Sequence, residues 1–405
     1  MRALLPPTWL SCLLLALLSA PVHAQTTAFT NANVFDGVGE TVLEGTTVVV
    51  RDGLIASIGG AVPADAKVID LEGRFLLPGY IDAHVHIASI ASLQRALESG
   101  VTTARSANTP QYQDVGLRDL VRAGRLPGPE ILAAGTFVTP HPGDRALADP
   151  RLALLFDEVQ TEEQIRQVVR INVERGADVI KTRGTERAGL PDTDPRKQVY
   201  TQEQLSWVVD EASKAGLPVL VHAHGDEGAR AAVLAGARSI EHGTYLTDET
   251  LDLMKTRGTF LVPTYTVVTD LLEPGGDYDD PVLIIRAQHM LPNLERAIRS
   301  AHAKGIRIVA STDTGYDAQS LARVGTEMTH FVRLGMTPFE ALQSATTVAA
   351  DLLQVSDRTG RIVEGYEADL VVVAGNPLED IRHVQDVVLV MSNGVLGMNR
   401  LPFGK

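Results

Sequence analysis

Five short apolar runs of this 405-residue sequence end on side chains able to bind a cation or move a proton. His84-Val85-His86 closes the run YIDAHVHI. Residues two apart in a strand share a face, so both imidazoles can turn toward one cation. The pair alone is a weak signal. The preceding PGYIDA strengthens it by placing the pair at a strand end. Lys181 follows the run ADVI. Desolvation disfavours its ammonium form. A neutral amine can add carbon dioxide to give a carbamate, an anionic bidentate group able to bridge two metals. A lysine that snorkels to the rim is the ordinary alternative. His222 and His224 end LPVLVHAH on a common face, and His242 ends ARSIEHG. Asp313 follows IRIVAST, where a carboxylate can bind a cation, accept a proton or cap the next helix. Each residue taken singly is more often structural. Together they end four strands on ligand types and a fifth on a lysine, which points to one metal site.

The elements that must position them alternate. From Gly79 to about Leu353, short apolar runs are separated by helix-period segments such as EEQIRQVVRINVERG and TQEQLSWVVDEASKAG. The runs are YIDAHVHI, VTTARSA, EILAAGTFV, ADVIKT, LPVLVHAH, ARSIEHG, TFLVPTY and IRIVAST. Eight strands alternating with helices predict a (β/α)₈ TIM barrel, whose C-terminal rim carries the chemistry. Residues 28–77 are β-branched and turn-rich, with Asp52-Gly53 as a hairpin signal, and predict a small antiparallel unit. Residues 360–396 return to β character. The expected architecture is a barrel, residues 79–358, inserted in a composite β-sandwich domain made of residues 25–78 and 359–405.

Composition bounds the function. A net charge of −14 with no basic run argues against nucleic acid and against anionic membranes as partners. Arg2, an apolar core from Trp9 to Ala20 and the Val22-His23-Ala24 cleavage site predict a signal peptide over residues 1–24. The expected mature protein starts at Gln25, is periplasmic or secreted and does not span a membrane. Cys12, the sole cysteine, lies in that signal. Disulfides, cysteine nucleophiles and cysteine metal ligands are thus excluded from the mature chain.

Over nearly all of the mature sequence the chain resembles the amidohydrolase superfamily, in its imidazolonepropionase-like and prolidase-like branches. The resemblance rests on LPGYIDAHVHI, GADVIKTRG, VHAHGDEGARAAVLAGARSIEHGTYL, ASTDTG, LGMTPFEALQSATTVAADLL and GRIVEGYEADLVVVAGNPLEDI. It implies two divalent metal ions, with zinc the default and cobalt, nickel and manganese also suited to such ligands. It implies His84, His86 and Asp313 on one metal and His222 and His242 on the other. A carboxylated Lys181 and a hydroxide would bridge them. His224 would contact the substrate carbonyl, and Tyr265 and His141 fall where substrate contacts are expected. His141 lies in TPHPGD, where relatives carry a glycine-rich segment. After Lys181 the loop TRGTERAG also departs from the small, glycine-rich pattern; its Arg183 and Arg187 either select an acidic group or are solvated.

The reaction so implied is hydrolysis of an amide C–N bond, with Asp313 and His224 as the catalytic groups. A dipeptide or an N-acyl amino acid is the first substrate class, and a cyclic amide or lactone the second. A homo-oligomer is compatible with this kind of barrel. A mononuclear deaminase on the same barrel would carry a glutamate where this chain has Gly225, and would lack Lys181. A catalytically silent metal- or ligand-binding barrel would have lost a ligand, whereas all six positions are filled.

Overall fold

The computed structural model describes residues 26–273 and 280–401. The expected signal, residues 1–24, lies outside the described residues. The chain opens with β1 (Thr27–Val34), β2 (Leu43–Arg51), β3 (Leu54–Ile58), β4 (Lys67–Asp70) and β5 (Phe75–Pro78). Asp52 and Gly53 form the two-residue turn between β2 and β3, at φ 55° and 81°. Positive φ at both positions matches the right-handed twist of the flanking strands. The expected antiparallel unit is corrected to a mixed one: β1 runs antiparallel to β2 but parallel to β4 and β5. The chain after β3 crosses back over the sheet instead of turning in a hairpin.

The next strands are β6 (Tyr80–Val85), β7 (Val101–Ser106), β8 (Glu130–Leu132), β9 (Ile180–Arg183), β10 (Val219–Ala223), β11 (Ser239–His242) and β12 (Phe260–Val262). All pair in parallel with sequence neighbours and alternate with helices, a TIM-barrel-like α/β fold. The expected ring of eight regular strands is corrected. Among the described residues, β6-β7-β8 form one sheet and β9-β10-β11-β12 another. Single parallel bridges span the remaining seams: Val138 with Thr182, Leu261 with Ile308, and Val85 with Thr314. Left-handed backbone at Gly135 (φ 67°) and Asp313 (φ 54°) interrupts the ladder there. The run IRIVAST therefore contributes a bridge in place of a strand.

The two helices singled out in the sequence form at Glu162–Glu174 and Gln202–Ser213. Each starts in a capping box, Thr161 with Gln164 and Thr201 with Gln204. Each cap contributes about 1 kcal/mol. Ile165, Val168, Leu205 and Val208 bury the inner faces of these helices in the core. No described helix is long and apolar enough to cross a membrane.

The tail adds β13 (Leu370–Val373), β14 (Val387–Ser392) and β15 (Val395–Asn399). The strands run in the order β15-β14-β13-β5-β1-β2-β3, with β4 on β1. Strands from both chain ends thus share one hydrogen-bonded sheet, where two stacked sheets were expected. Phe29, Val48, Ile55, Leu76, Leu370 and Leu389 are buried together across that junction. Burial of each such side chain stabilises by about 1.5–3 kcal/mol. Gly79 then passes the chain directly from this sheet into β6. A Cβ there would lie 2.1 Å from Thr102 Oγ1, so only glycine permits the close approach that sets the level of His84.

Candidate metal centre

Strand β6 delivers the first histidine pair. His84 Nδ1 lies 2.6 Å from Glu241 Oε2. Its Nε2 is thereby turned toward Asp313 Oδ1 at 3.2 Å and Lys181 Nζ at 3.4 Å. His86 Nδ1 donates to the Asn108 carbonyl at 2.7 Å, and its Nε2 lies 3.0 Å from the same Asp313 oxygen. Two imidazole nitrogens and a carboxylate oxygen thus aim at one another. The Asp313 backbone N–H donates to the His84 carbonyl at 2.8 Å, which helps hold its left-handed conformation. Such a conformation costs roughly 1–2 kcal/mol in a non-glycine residue.

The second group is His222, His224 and His242. The rings of His222 and His242 are 4.5 Å apart, as are those of His224 and His242. One nitrogen of each ring is anchored: His222 Nε2 on the Glu186 carbonyl at 3.0 Å, His224 Nδ1 on Thr244 Oγ1 at 2.8 Å, and His242 Nδ1 on Thr264 Oγ1 at 2.6 Å. Anchoring one nitrogen fixes the ring and leaves the other for a ligand. The rings of His84 and His242, 5.3 Å apart, join the two groups. Lys181 is buried between them. All seven side chains line one cavity of about 440 Å³.

The electrostatics favour cation binding. Burial pushes His222 and His242 well below the usual imidazole range, with neighbouring imidazoles and Lys181 acting in the same direction. Burial likewise takes His224 down to about 3. Burial alone would raise the Asp313 carboxyl, but His84, His86 and His242 hold it well below the carboxylate range. Burial brings Lys181 down to about 8, against the opposing pull of Glu241 and Asp313. Neutral imidazoles, an ionised carboxylate and a readily deprotonated amine are the states a divalent cation requires of its ligands. The donor atoms within each of the groups His84–His86–Asp313 and His222–His224–His242 lie within 4.8 Å of one another. The residues therefore fit two cations.

Sequence reasoning missed Glu241 and Arg105. Glu241 is fully buried, and both its oxygens lie 3.0 Å from Arg105 NH2. Ser239 Oγ also donates to it. Burial pushes this carboxyl up, yet Arg105, His84 and Lys181 bring it to about 2. The available signal was a charged residue inside each of two apolar runs, VTTARSA and ARSIEHG.

Two expected substrate contacts lie off the wall of this cavity. Tyr265 does not line the cavity. Thr264, at φ 48°, starts the helix Tyr265–Asp270, and the Tyr265 hydroxyl donates to Glu295 at 2.7 Å and accepts from Arg333 at 2.6 Å. His141 is exposed on the loop after β8, with Nδ1 3.1 Å from the Asp157 carbonyl, and is also absent from the cavity wall. At Gly225, where a deaminase would carry glutamate, a Cβ would lie 2.4 Å from the Arg196 carbonyl oxygen. No side chain fits there.

The model of the amidohydrolase family matches residues 75–397. An ochratoxinase from Aspergillus niger is 27% identical, covering 90% of this chain and 84% of the relative. An imidazolonepropionase from Paracoccus denitrificans is 28% identical, covering 85% and 90%. The crystal structure of a Xaa-Pro dipeptidase with bound methionine in the active site superposes with a TM-score of 0.83. It is 30% identical, with 92% of this chain and 99% of that chain covered. Family match, related hydrolases and metal-ready cavity agree, and the chain belongs to the amidohydrolase family as a hydrolase acting on carbon–nitrogen bonds.

Proposed function

We propose that this chain is an exported hydrolase that uses two divalent metal ions to cleave the amide bond of a dipeptide or an N-acyl amino acid. The observation that carries the reading is the convergence of His84, His86, Asp313, His222, His224, His242 and Lys181 on one cavity. His84, His86 and Asp313 would hold one cation, His222 and His242 the other, and carboxylated Lys181 would bridge them. When bound, such ions act as Lewis acids and lower the pKa of water toward about 7.

The protein's own groups do the rest. Asp313, held ionised by its histidine partners, takes a proton from the attacking water and returns it to the leaving nitrogen. His224 accepts the Thr244 hydroxyl proton at Nδ1 in this assignment, which puts its own proton on Nε2. That N–H is a donor for the carbonyl oxygen as negative charge develops on it. Phe137, Val267, Val268 and Leu271 give the cavity an apolar wall that limits water.

The dipeptidase neighbour with methionine in its active site supports an amino-acid-sized product. The imidazolonepropionase relative favours the second reading, a cyclic amide or lactone. The same proposal takes residues 79–358 as a barrel closed through its single bridges, with residues 25–78 and 359–405 as the small domain. Removal of residues 1–24 would leave a periplasmic or secreted protein beginning at Gln25, which mass spectrometry of the exported chain checks.

The test is metal analysis of protein purified without chelators, followed by a screen of dipeptides, N-acyl amino acids, cyclic amides and lactones. About two equivalents of transition metal and turnover of a member of the first two classes are expected. A protein without stoichiometric metal, or turnover of lactones alone, refutes the proposal.

A further inference from the structure

Three arginines gather beside this cavity with no carboxylate partner among the described residues. Arg145 and Arg187 line it. Arg183 lies behind them with its guanidinium 4.5 Å from the centre of the Phe137 ring, and its Nε is buried without a hydrogen bond. Burial brings Arg183 down to about 9, and Arg187 and Arg145 push the same way. Burial and Arg187 likewise lower Arg145. In a chain with 50 acids against 36 bases, uncompensated arginines are the exception. Arg118, Arg166 and Arg358 show the common case, with carboxylates at 2.6, 2.8 and 2.6 Å. Glu186, the one acid of residues 182–189, is taken by Lys197 at 2.6 Å.

The cluster is held in place against its own repulsion. A Cβ on Gly184 would lie 2.6 Å from the Gly228 carbonyl oxygen, so the loop that carries Arg187 runs tightly against the helix Asp226–Ala235. His222 Nε2 donates to the Glu186 carbonyl. Arg286 donates to the carbonyls of Ala188, Leu190, Pro191 and Thr193, fastening the far side of the loop. Holding like charges together is costly unless an anion joins them. Elsewhere on the cavity wall, Asp313 and Asp317 repel an anion.

We infer that Arg145 and Arg187 receive the free carboxylate of the substrate, with Arg183 adding charge from behind and Phe137, Val267, Val268 and Leu271 receiving an apolar side chain. This rests on the hydrolase reading and narrows its substrates to acids: N-acyl amino acids and the C-terminal residue of dipeptides. The planar guanidinium fork suits a carboxylate's two oxygens.

The experiment titrates metal-loaded protein calorimetrically with 3-phenylpropanoate and with 3-phenylpropanamide, which share a ring and differ in charge. Wild type is expected to bind the acid at least about 10-fold more tightly than the amide. Arg145→Gln/Arg187→Gln is expected to bring the two within about 2-fold, with metal content and affinity for the amide unchanged. Equal affinities in wild type overturn the inference. So does a preference that survives in the double variant, because the metals alone would then hold the carboxylate. If melting curves show that the double variant is unfolded, Arg187→Gln decides: about 3-fold weaker binding of the acid supports the inference and no change overturns it. Turnover of a neutral chromogenic amide tests the hydrolase reading separately, since that substrate has no carboxylate.

Discussion

Glu241 joins three things: the orientation of His84, the neutralisation of Arg105, and the burial of both charges beneath the rim. Glu241→Ala leaves the Arg105 guanidinium, only 3% exposed, without its carboxylate. Removing one partner of a buried ion pair costs about 3–5 kcal/mol. At roughly 2–4 °C per kcal/mol for a sizeable domain, thermal unfolding should fall by on the order of 10 °C. Arg105→Met/Glu241→Leu removes both charges together and should recover most of that loss, giving a coupling of at least about 2 kcal/mol in a double-mutant cycle. Glu241→Gln keeps the shape but weakens the hydrogen bond that aims the His84 ring. Metal affinity, measured by competition with a calibrated chelator, should then drop about 10–100-fold. Additive single-variant effects would show that Arg105 and Glu241 act independently. Unchanged metal affinity in Glu241→Gln would refute the orienting role.

Asp313→Asn should retain at least one metal yet lose most turnover, at least about 100-fold in kcat; near wild-type kcat would remove the carboxylate from proton transfer. Lys181→Ala should lose one metal equivalent and regain it when a short carboxylic acid is added, and two equivalents without the acid would defeat the carbamate assignment. Arg286→Ala should raise KM for acidic substrates by about 10-fold and leave neutral amides within about 2-fold; equal losses on both would mean a merely structural role. Two buried carboxyls should contribute stability that declines as pH rises, against the opposite contribution of the buried histidines His222, His224 and His242. Burial lifts the Glu327 carboxyl from 4.5 to about 7 and that of Asp369 from 3.8 to about 7. Between those values the folded chain holds protons on these two groups that the unfolded chain has released, so their contribution is fullest below about pH 4 and falls up to about pH 7. The limits on that fall are about 3 kcal/mol for Glu327 and between about 4 and 5 kcal/mol for Asp369. The stability of Glu327→Gln relative to wild type should therefore rise from pH 4.5 to 7.5 in melting curves, and a constant difference would count against a raised pKa at that residue.

The candidate ligands that the structure gathers were legible because each ends an apolar run, and a barrel brings its strand ends to one rim. Strand alternation alone does not give the layer below. It would put Glu241 and His242 on opposite faces, but His242 sits at φ 73°, and that left-handed turn lets neighbouring residues both reach the interior. Tyr265 turns from the cavity for a related reason: Thr264 takes the chain into a helix directly after the run TFLVP. The eighth run, IRIVAST, has strand composition yet stops at one bridge, because the left-handed backbone at Asp313 bends the chain out of pairing. The arginine cluster was visible only as two cations in an unusual loop. Arg145, more than thirty positions earlier, joins them only once the barrel has formed.

Where β6 meets the segment after Ile308, the backbones are joined by the Val85–Thr314 bridge, the Asp313 N–H on the His84 carbonyl and the His86 N–H on the Thr314 carbonyl, and Asp82 accepts from the Thr312 N–H and hydroxyl and from the Tyr316 hydroxyl. The first and last segments of the barrel-like fold are thus joined in part by the candidate site residues themselves. A ribosome must release nearly four-fifths of the polymer before that stitch can form. A fragment ending short of it keeps five of the histidines around the cavity but lacks Asp313 and the part of the wall around it. If Asp313 is the proton acceptor proposed above, completing the wall and assembling the site are a single event for this molecule.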